Sequence, residues 1–305
     1  MRSRSRIGLE AVFLAWLASC AQAPAGRAAN ELLCCGAGEV FILDVSDPAT
    51  PRKVWGWMAA DRADLPEPLR KQFGSTDECK PVEGGAKILV TSSGGGVALV
   101  ERASGRVLFH ASVRNAHSAE LLPRGRVAVA GSTGEGGNRL VLFDLSESGK
   151  PLWHDGFPWA HGAVWDEARG LLWALGEKEL RAYRLKDWET ASPSLVRAET
   201  HPLPGDSGHE LRPVPGAATL IVTANPGVWL FDRDRKTFAP HPVLGGLAGV
   251  KSVDIHPATG RTAYTKADTS WWTERVRFLG PAGEVVLPGE RLYKVRWNSG
   301  IQGAP

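Results

Sequence analysis

Short runs of alternating apolar and polar residues, each closed by Gly, Pro, Asn or Asp, recur from Glu39 to the C-terminus. Alternation with period two predicts half-buried β-strands, and the punctuating residues predict tight turns. The strands come in a repeating order. Each copy opens on a polar residue, continues as an apolar strand, turns into a second apolar strand and reaches a third after a loop. The openings are DECKPVEGGAKILVT from Asp77, HSAELLPRGRVAVAG from His117, HGAVWDEARGLLWALG from His161, HELRPVPGAATLIVTA from His209, KSVDIHPATGRTAYTK from Lys251 and YKVRWN from Tyr293. The opening residues are 40, 44, 48, 42 and 42 positions apart. A multi-stranded unit of roughly 40–50 residues is the blade of a β-propeller.

The third strands keep the same register, starting at Gly96, Asn138, Glu179, Gly227 and Arg275. The sixth copy is split. Glu31–Trp55 supplies second, third and fourth strands with no first strand before them, and Tyr293–Asn298 is a first strand with nothing after it. Pairing the two halves completes one blade and removes the open sheet edge. The predicted fold is therefore all-β, a six-bladed β-propeller closed by pairing of the C-terminal strand with the N-terminal blade. It occupies residues 31–305. The one helical candidate is Asp64–Phe73, in the loop before Asp77.

The first residues carry a different pattern. Arg2, Arg4 and Arg6 precede the apolar stretch IGLEAVFLAWLA, as in a secretory signal, with Glu10 as an unusual interruption. LASC, Leu17 to Cys20, resembles a bacterial lipobox, which implies acylation at Cys20, a signal segment over 1–20 and a flexible tether over 21–30. Cleavage after Ala23 is the rival reading. The expected address is the periplasm or outer cell surface, with membrane contact only through a lipid anchor, and the expected state is a monomer. Removing residues 1–20 takes the net charge from +3 to +1, and no basic stripe suggests nucleic acid. Cys34, Cys35 and Cys79 lie on strands of neighbouring blades, as a bridge or as buried thiols.

In a propeller the innermost strand of each blade starts beside the axis at one face. The opening residues Asp77, His117, His161, His209, Lys251 and Tyr293 are therefore expected to converge there. Three imidazoles from consecutive blades suit a divalent ion such as Mn, Zn, Fe or Ni, with Asp77 completing or orienting the shell. A polar channel of satisfied side chains is the plain alternative. Trp271 and Trp272, in the loop ADTSWWTE, and Trp159, two residues before His161, are expected to ring the same mouth, where indoles stack on sugars. The hairpin turns of the opposite face, PRGR, DEARG, PGAA and PATGR, read as purely structural. Trp165, Trp173, Trp229 and Trp297 read as core. Glu120, Glu210 and Asp254 read as partners of neighbouring blades.

The chain resembles secreted bacterial propeller proteins of uncharacterised function. Its axial His117, His161 and His209 resemble those of oligogalacturonate lyases and related propeller polysaccharide lyases, which hold a divalent metal on axial histidines and have seven blades. The longer sequence signatures of those enzymes are absent and their substrate does not carry over; the resemblance implies a metal-assisted lyase, most simply one acting on an acidic, uronate-containing oligosaccharide. In such an elimination a cation neutralises the uronate carboxylate and a base removes the neighbouring carbon proton. Lys251 or Tyr293 is the candidate base, and Arg275 a candidate carboxylate clamp. The same residues also fit a non-catalytic propeller that binds a glycan or a protein, or an assembly lipoprotein. No GxSxG, P-loop, dinucleotide or HExxH motif occurs.

Overall fold

The structure, a computed structural model, describes residues 30–299. The expected signal segment and Cys20 lie outside the described residues. The first blade holds β1 (Glu31–Cys35), β2 (Glu39–Asp44) and β3 (Arg52–Met58). The second holds β4 (Thr76–Val82), β5 (Lys87–Ser92), β6 (Gly96–Glu101) and β7 (Val107–Ser112). The third holds β8 (Ala116–Leu122), β9 (Arg126–Gly131), β10 (Arg139–Asp144) and β11 (Pro151–Gly156). The fourth holds β12 (Gly162–Asp166), β13 (Leu171–Leu175), β14 (Glu179–Lys186) and β15 (Ser194–Pro202). The fifth holds β16 (Asp206–Pro213), β17 (Thr219–Asn225), β18 (Gly227–Asp232) and β19 (Thr237–Pro240). The sixth holds β20 (Val250–Ile255), β21 (Thr262–Lys266), β22 (Arg275–Leu279) and β23 (Gly283–Val286).

Strand β24 (Lys294–Trp297) returns to the first blade and pairs antiparallel with β1, from Leu32 opposite Trp297 to Cys35 opposite Lys294. The result is six four-stranded antiparallel sheets, a six-bladed propeller closed as the split repeat predicts. The candidate helix is realised as a single turn, Glu67–Arg70, between two 3₁₀ turns. No helix among the described residues is long and apolar enough to cross a membrane.

Period-two alternation explains why the ring holds. Each blade buries both faces, one against each neighbour, so alternate residues of one strand belong to different cores. In the first blade, Leu33, Cys35, Val40 and Ile42 face the second blade. Leu32, Cys34, Phe41 and Leu43 face the sixth, together with Val276, Phe278 and Trp297. The remaining clusters fill the other blade-to-blade seams in the same way. The three cysteines fall on these seams as free, buried thiols. Near the axis the inner strands crowd. A Cβ on Gly162 would stand 2.6 Å from the Cβ of Leu211, so β12, which His161 immediately precedes, approaches the fifth blade only because residue 162 has no side chain.

Candidate functional site

Two backbone devices aim the opening side chains at the axis. The first is a register shift at the start of the inner strand. Pairing slips between Thr76 and Glu78, Ala116 and Ser118, Asp206 and Glu210, and Val250 and Ser252. Asp77, His117, His209 and Lys251 sit in these irregularities, and a bulge of this kind turns a side chain out of the pleat. The second device is a left-handed residue two positions earlier, present in four consecutive blades: Asn115 (φ 54°), Trp159 (φ 49°), Ser207 (φ 56°) and Gly249 (φ 77°). For a residue as bulky as tryptophan this conformation is an outlier, with a cost on the order of 1–3 kcal/mol. It is held in place by the Trp159 N–H, which donates to Asn138 Oδ1 at 3.0 Å.

The left-handed turns fix the imidazoles. His117 Nδ1 donates to the Asn115 carbonyl at 3.0 Å, and His161 Nδ1 donates to the Trp159 carbonyl at 2.8 Å. A carbonyl only accepts, so each ring carries a proton on Nδ1, and His161, held neutral by burial, keeps Nε2 as an acceptor. The rings then pack in sequence, with centroids 4.2 Å apart for His117 and His161 and 4.9 Å for His161 and His209. Tyr293 closes the ring at 6.0 Å from His117, and His117 Nε2 lies 3.6 Å from Asp77 Oδ1. Lys251 Nζ is 2.8 Å from His209 Nε2. All six predicted residues converge.

Burial sets their charges. It pushes His161 and His209 well below the ordinary imidazole value, helped by His117 for the first and by Lys251 for the second. It pushes the Asp77 carboxyl and the Tyr293 phenol up. Lys251 is lowered to about 8, by burial first and by Lys294 second. Among the described residues no carboxylate forms an ion pair with Lys251; its partner is a neutral imidazole. The mouth thus sets a lysine lowered to about 8 beside the Asp77 carboxyl and two imidazoles held neutral.

These shifts predict an acid-sensitive fold. An imidazole held neutral in the folded state contributes full stability above pH 6.5, its ordinary value, and that stability is lost as pH falls and the unfolded chain takes up the proton. The slope is on the order of 1 kcal/mol per pH unit for each such histidine. Thermal melts between pH 7 and about 5 should show it, with a shallower slope in His161→Gln. Identical slopes in the two proteins would contradict the assignment.

The rim is mixed. Trp271 stands edge-on to Tyr293 at 6.0 Å and so reaches the mouth, while Trp159, whose carbonyl holds His161, has a side chain 37% exposed. Trp272 is half-buried, with its backbone pinned to Thr269 in the same loop. Arg275 is not brought to the mouth: its guanidinium pairs with Glu284 on β23, at the outer edge of the sixth blade. The metal reading meets a different arrangement from the one expected. Among the described residues no three His, Cys, Asp or Glu side chains stand so as to hold an ion. His209 Nε2 is engaged by Lys251, and an ammonium is a poor neighbour for a divalent cation. The residues as placed do not fit a shared metal.

Beneath the mouth the axis is filled by ion pairs. Arg296 is fully buried and donates to Glu78 at 3.0 Å and to Glu210 at 2.8 Å, carboxylates from the second and fifth blades on opposite sides of the ring. Lys80 donates to Glu120 at 2.7 Å and to the carbonyls of Ala119 and Ala163 at 2.9 Å. Arg212 pairs with Asp254 at 2.8 Å. Glu120 and Asp254 thus pair with neighbouring blades as expected, whereas Glu210 reaches past the sixth blade to Arg296 of the first. Below them a cavity of about 670 Å³ opens on the opposite face, lined in part by Pro123, Arg169, Gly216 and Pro257. The hairpin turns read as purely structural are the walls of this cavity, and Trp165, read as core, is one of its linings.

Residues 38–301 match a family of unknown function (DUF6528). The chain belongs to that family. No curated protein matches it. Among solved structures it is similar to a chain of a nidogen/laminin complex, with 12% identity, a TM-score of 0.59 and coverage of 87% of this chain and 97% of that one. It also matches the β-propeller domain of Myceliophteria thermophila Cps50 (Swd1), with 12% identity, a TM-score of 0.49 and coverage of 80% and 92%. At such identity the first likeness shows the fold alone.

Proposed function

We propose that this protein is exported and that its axial face binds an acidic, uronate-containing oligosaccharide. The observation that carries the reading is Lys251, a partly buried cation at the mouth whose partner is a neutral imidazole. A carboxylate entering there gains a charge-assisted hydrogen bond without breaking an existing ion pair. Trp271 and Trp159 supply apolar faces for sugar rings beside it.

A second reading, β-elimination, is favoured by the lowered Lys251. An amine near neutrality can remove the proton on the carbon beside the carboxylate. That C–H electron pair becomes the new double bond as the C–O bond to the leaving sugar breaks, and the departing oxygen takes a proton. Tyr293, whose phenol is pushed up, suits the proton donor better than the base. The step is assigned to these side chains and uses no metal. The divalent ion expected on His117, His161, His209 and Asp77 is tested alongside.

The experiment is calorimetric titration with tetragalacturonate, and with cellotetraose as neutral control, in EDTA and again with Mn²⁺ or Zn²⁺. Binding of the acidic sugar alone is expected, weakening as pH rises through about 8, where Lys251 loses its charge. Lys251→Ala should weaken it about 10- to 100-fold, the worth of one charge-assisted bond, and Trp271→Ala should also weaken it. Ultraviolet absorbance of the unsaturated product reads elimination directly. Equal binding of both sugars, or no effect of either variant, would overturn the proposal.

A further inference from the structure

The cavity on the opposite face is separate from the axial mouth, with the Arg296 and Lys80 ion pairs between them. Its volume of about 670 Å³ lies in the range of small-molecule sites. Its floor has an uncommon composition. Glu120 is buried and uses Oε2 for Lys80. Arg212 uses Nε and Nη2 for Asp254. Among the described residues Glu120 Oε1 and Arg212 Nη1 have no hydrogen-bond partner, yet neither is among the atoms sealed from solvent without one. Both residues line the cavity, so each ion pair leaves it one unused atom, an acceptor and a donor of opposite charge. Half-buried apolar side chains, Trp165, Val214 and Ile255, stand around them.

We infer that this cavity binds a small zwitterion with an apolar body: a free amino acid or a short peptide. Chemistry selects the class. An anion alone would pair with Arg212 but face the Glu120 carboxylate, and a cation alone would meet the reverse. A neutral apolar molecule would strip water from both atoms and replace it with nothing, which is costly. A ligand carrying an ammonium and a carboxylate satisfies Glu120 Oε1 and Arg212 Nη1 together, while its side chain lies against Trp165 and Ile255. The cross-blade ion pairs hold the two receiving groups in place before the ligand arrives, which lowers the ordering cost of binding.

The test is titration and thermal-shift measurement with L-phenylalanine and the dipeptide Leu-Phe, against N-acetylphenylalanine and phenylalaninamide. The expected result is binding of the zwitterions and at least about tenfold weaker binding of each blocked form, since each loses one charged contact. Trp165→Ala removes an indole that lines the cavity and packs at the edge of the core between the third and fourth blades, and should weaken binding of the zwitterions while the protein still melts cooperatively. Arg212→Lys keeps the charge but loses the fork, and should weaken them too; if it does not fold, Trp165→Ala decides. No binding by either zwitterion, equal binding of the blocked forms, or zwitterion binding unchanged in Trp165→Ala would overturn the inference.

Discussion

Replacing Arg296 with leucine is expected to destabilise the ring by about 3–5 kcal/mol, the usual cost of leaving buried charges without their partner. The guanidinium is fully buried and spans the axis, with Glu78 on one side and Glu210 on the other. Burial alone would raise the Glu78 carboxyl, but Arg296, Lys294 and Lys80 outweigh it and hold it far below the usual carboxylate range. Without Arg296 the two carboxylates keep one ion-pair partner within 4 Å, Lys294 at 3.6 and 3.9 Å, beside hydrogen bonds from Ser118 Oγ and the Cys79 and Leu211 N–H groups. The melting temperature should fall by roughly 10 °C. Two further outcomes separate lost charge pairing from lost packing. Adding Glu78→Gln and Glu210→Gln to the leucine variant should recover part of the loss. The wild type should also lose stability as pH falls below 4.5, because a depressed carboxyl stabilises only above its unfolded value, and the variant should lose less. A leucine variant melting within about 2 °C of wild type would show that the pairs contribute little.

Much of this was readable from the sequence because repetition superimposes positions. Strand order, blade number and closure follow from alternation and turn residues, which act locally. The axial ring follows as well, because six opening residues in register must meet if the blades form a ring. The charges beneath it left a trace: Glu78, Glu210 and Lys294 stand one position after the opening residue, and Lys80, Glu120, Arg212, Asp254 and Arg296 stand three after it. Charged residues on alternate positions of an otherwise apolar strand signal an ionic axis. Which residue pairs with which was not legible, since Arg296 reaches opposite blades and only the closed ring sets that distance.

Other features were hidden for definite reasons. The left-handed residue two before each axial side chain is Asn, Trp, Ser or Gly, and tryptophan at such a position gives no warning; Trp159 reads as a rim aromatic although it also orients His161. The Lys251–His209 contact depends on spacing between adjacent inner strands, and it changes three apparent metal ligands into a row of tilted and edge-on imidazoles with an engaged end. Arg275 is decided by its neighbour on β23, Glu284, which no repeat pattern singles out. The large cavity is walled by turns whose Gly and Pro content speaks only of backbone shape.

Deleting residues 292–305 is expected to abolish the cooperative fold altogether, the largest effect foreseen. The deletion removes β24, the innermost strand of the first blade. Four consequences coincide. The inner edge of β1 loses the pairing that runs from Leu32 opposite Trp297 to Cys35 opposite Lys294. The seam between the first and sixth blades loses Val295 and Trp297 from its core. Glu78 and Glu210 lose both Arg296 and Lys294. Thr265 Oγ1, buried in the sixth blade, loses the Tyr293 carbonyl that accepts its hydrogen bond. Each loss alone is costly, and together they exceed the roughly 5–15 kcal/mol that holds an ordinary domain folded. The truncated chain should show no sharp melt, rapid proteolysis and a tendency to pair through its exposed edge. A synthetic peptide spanning residues 291–299, added in excess, should restore a cooperative melt, because the closing strand is joined to the first blade by pairing and packing and not by the chain. Unchanged melting of the truncated protein would show that the remaining sheets hold the ring without this strand.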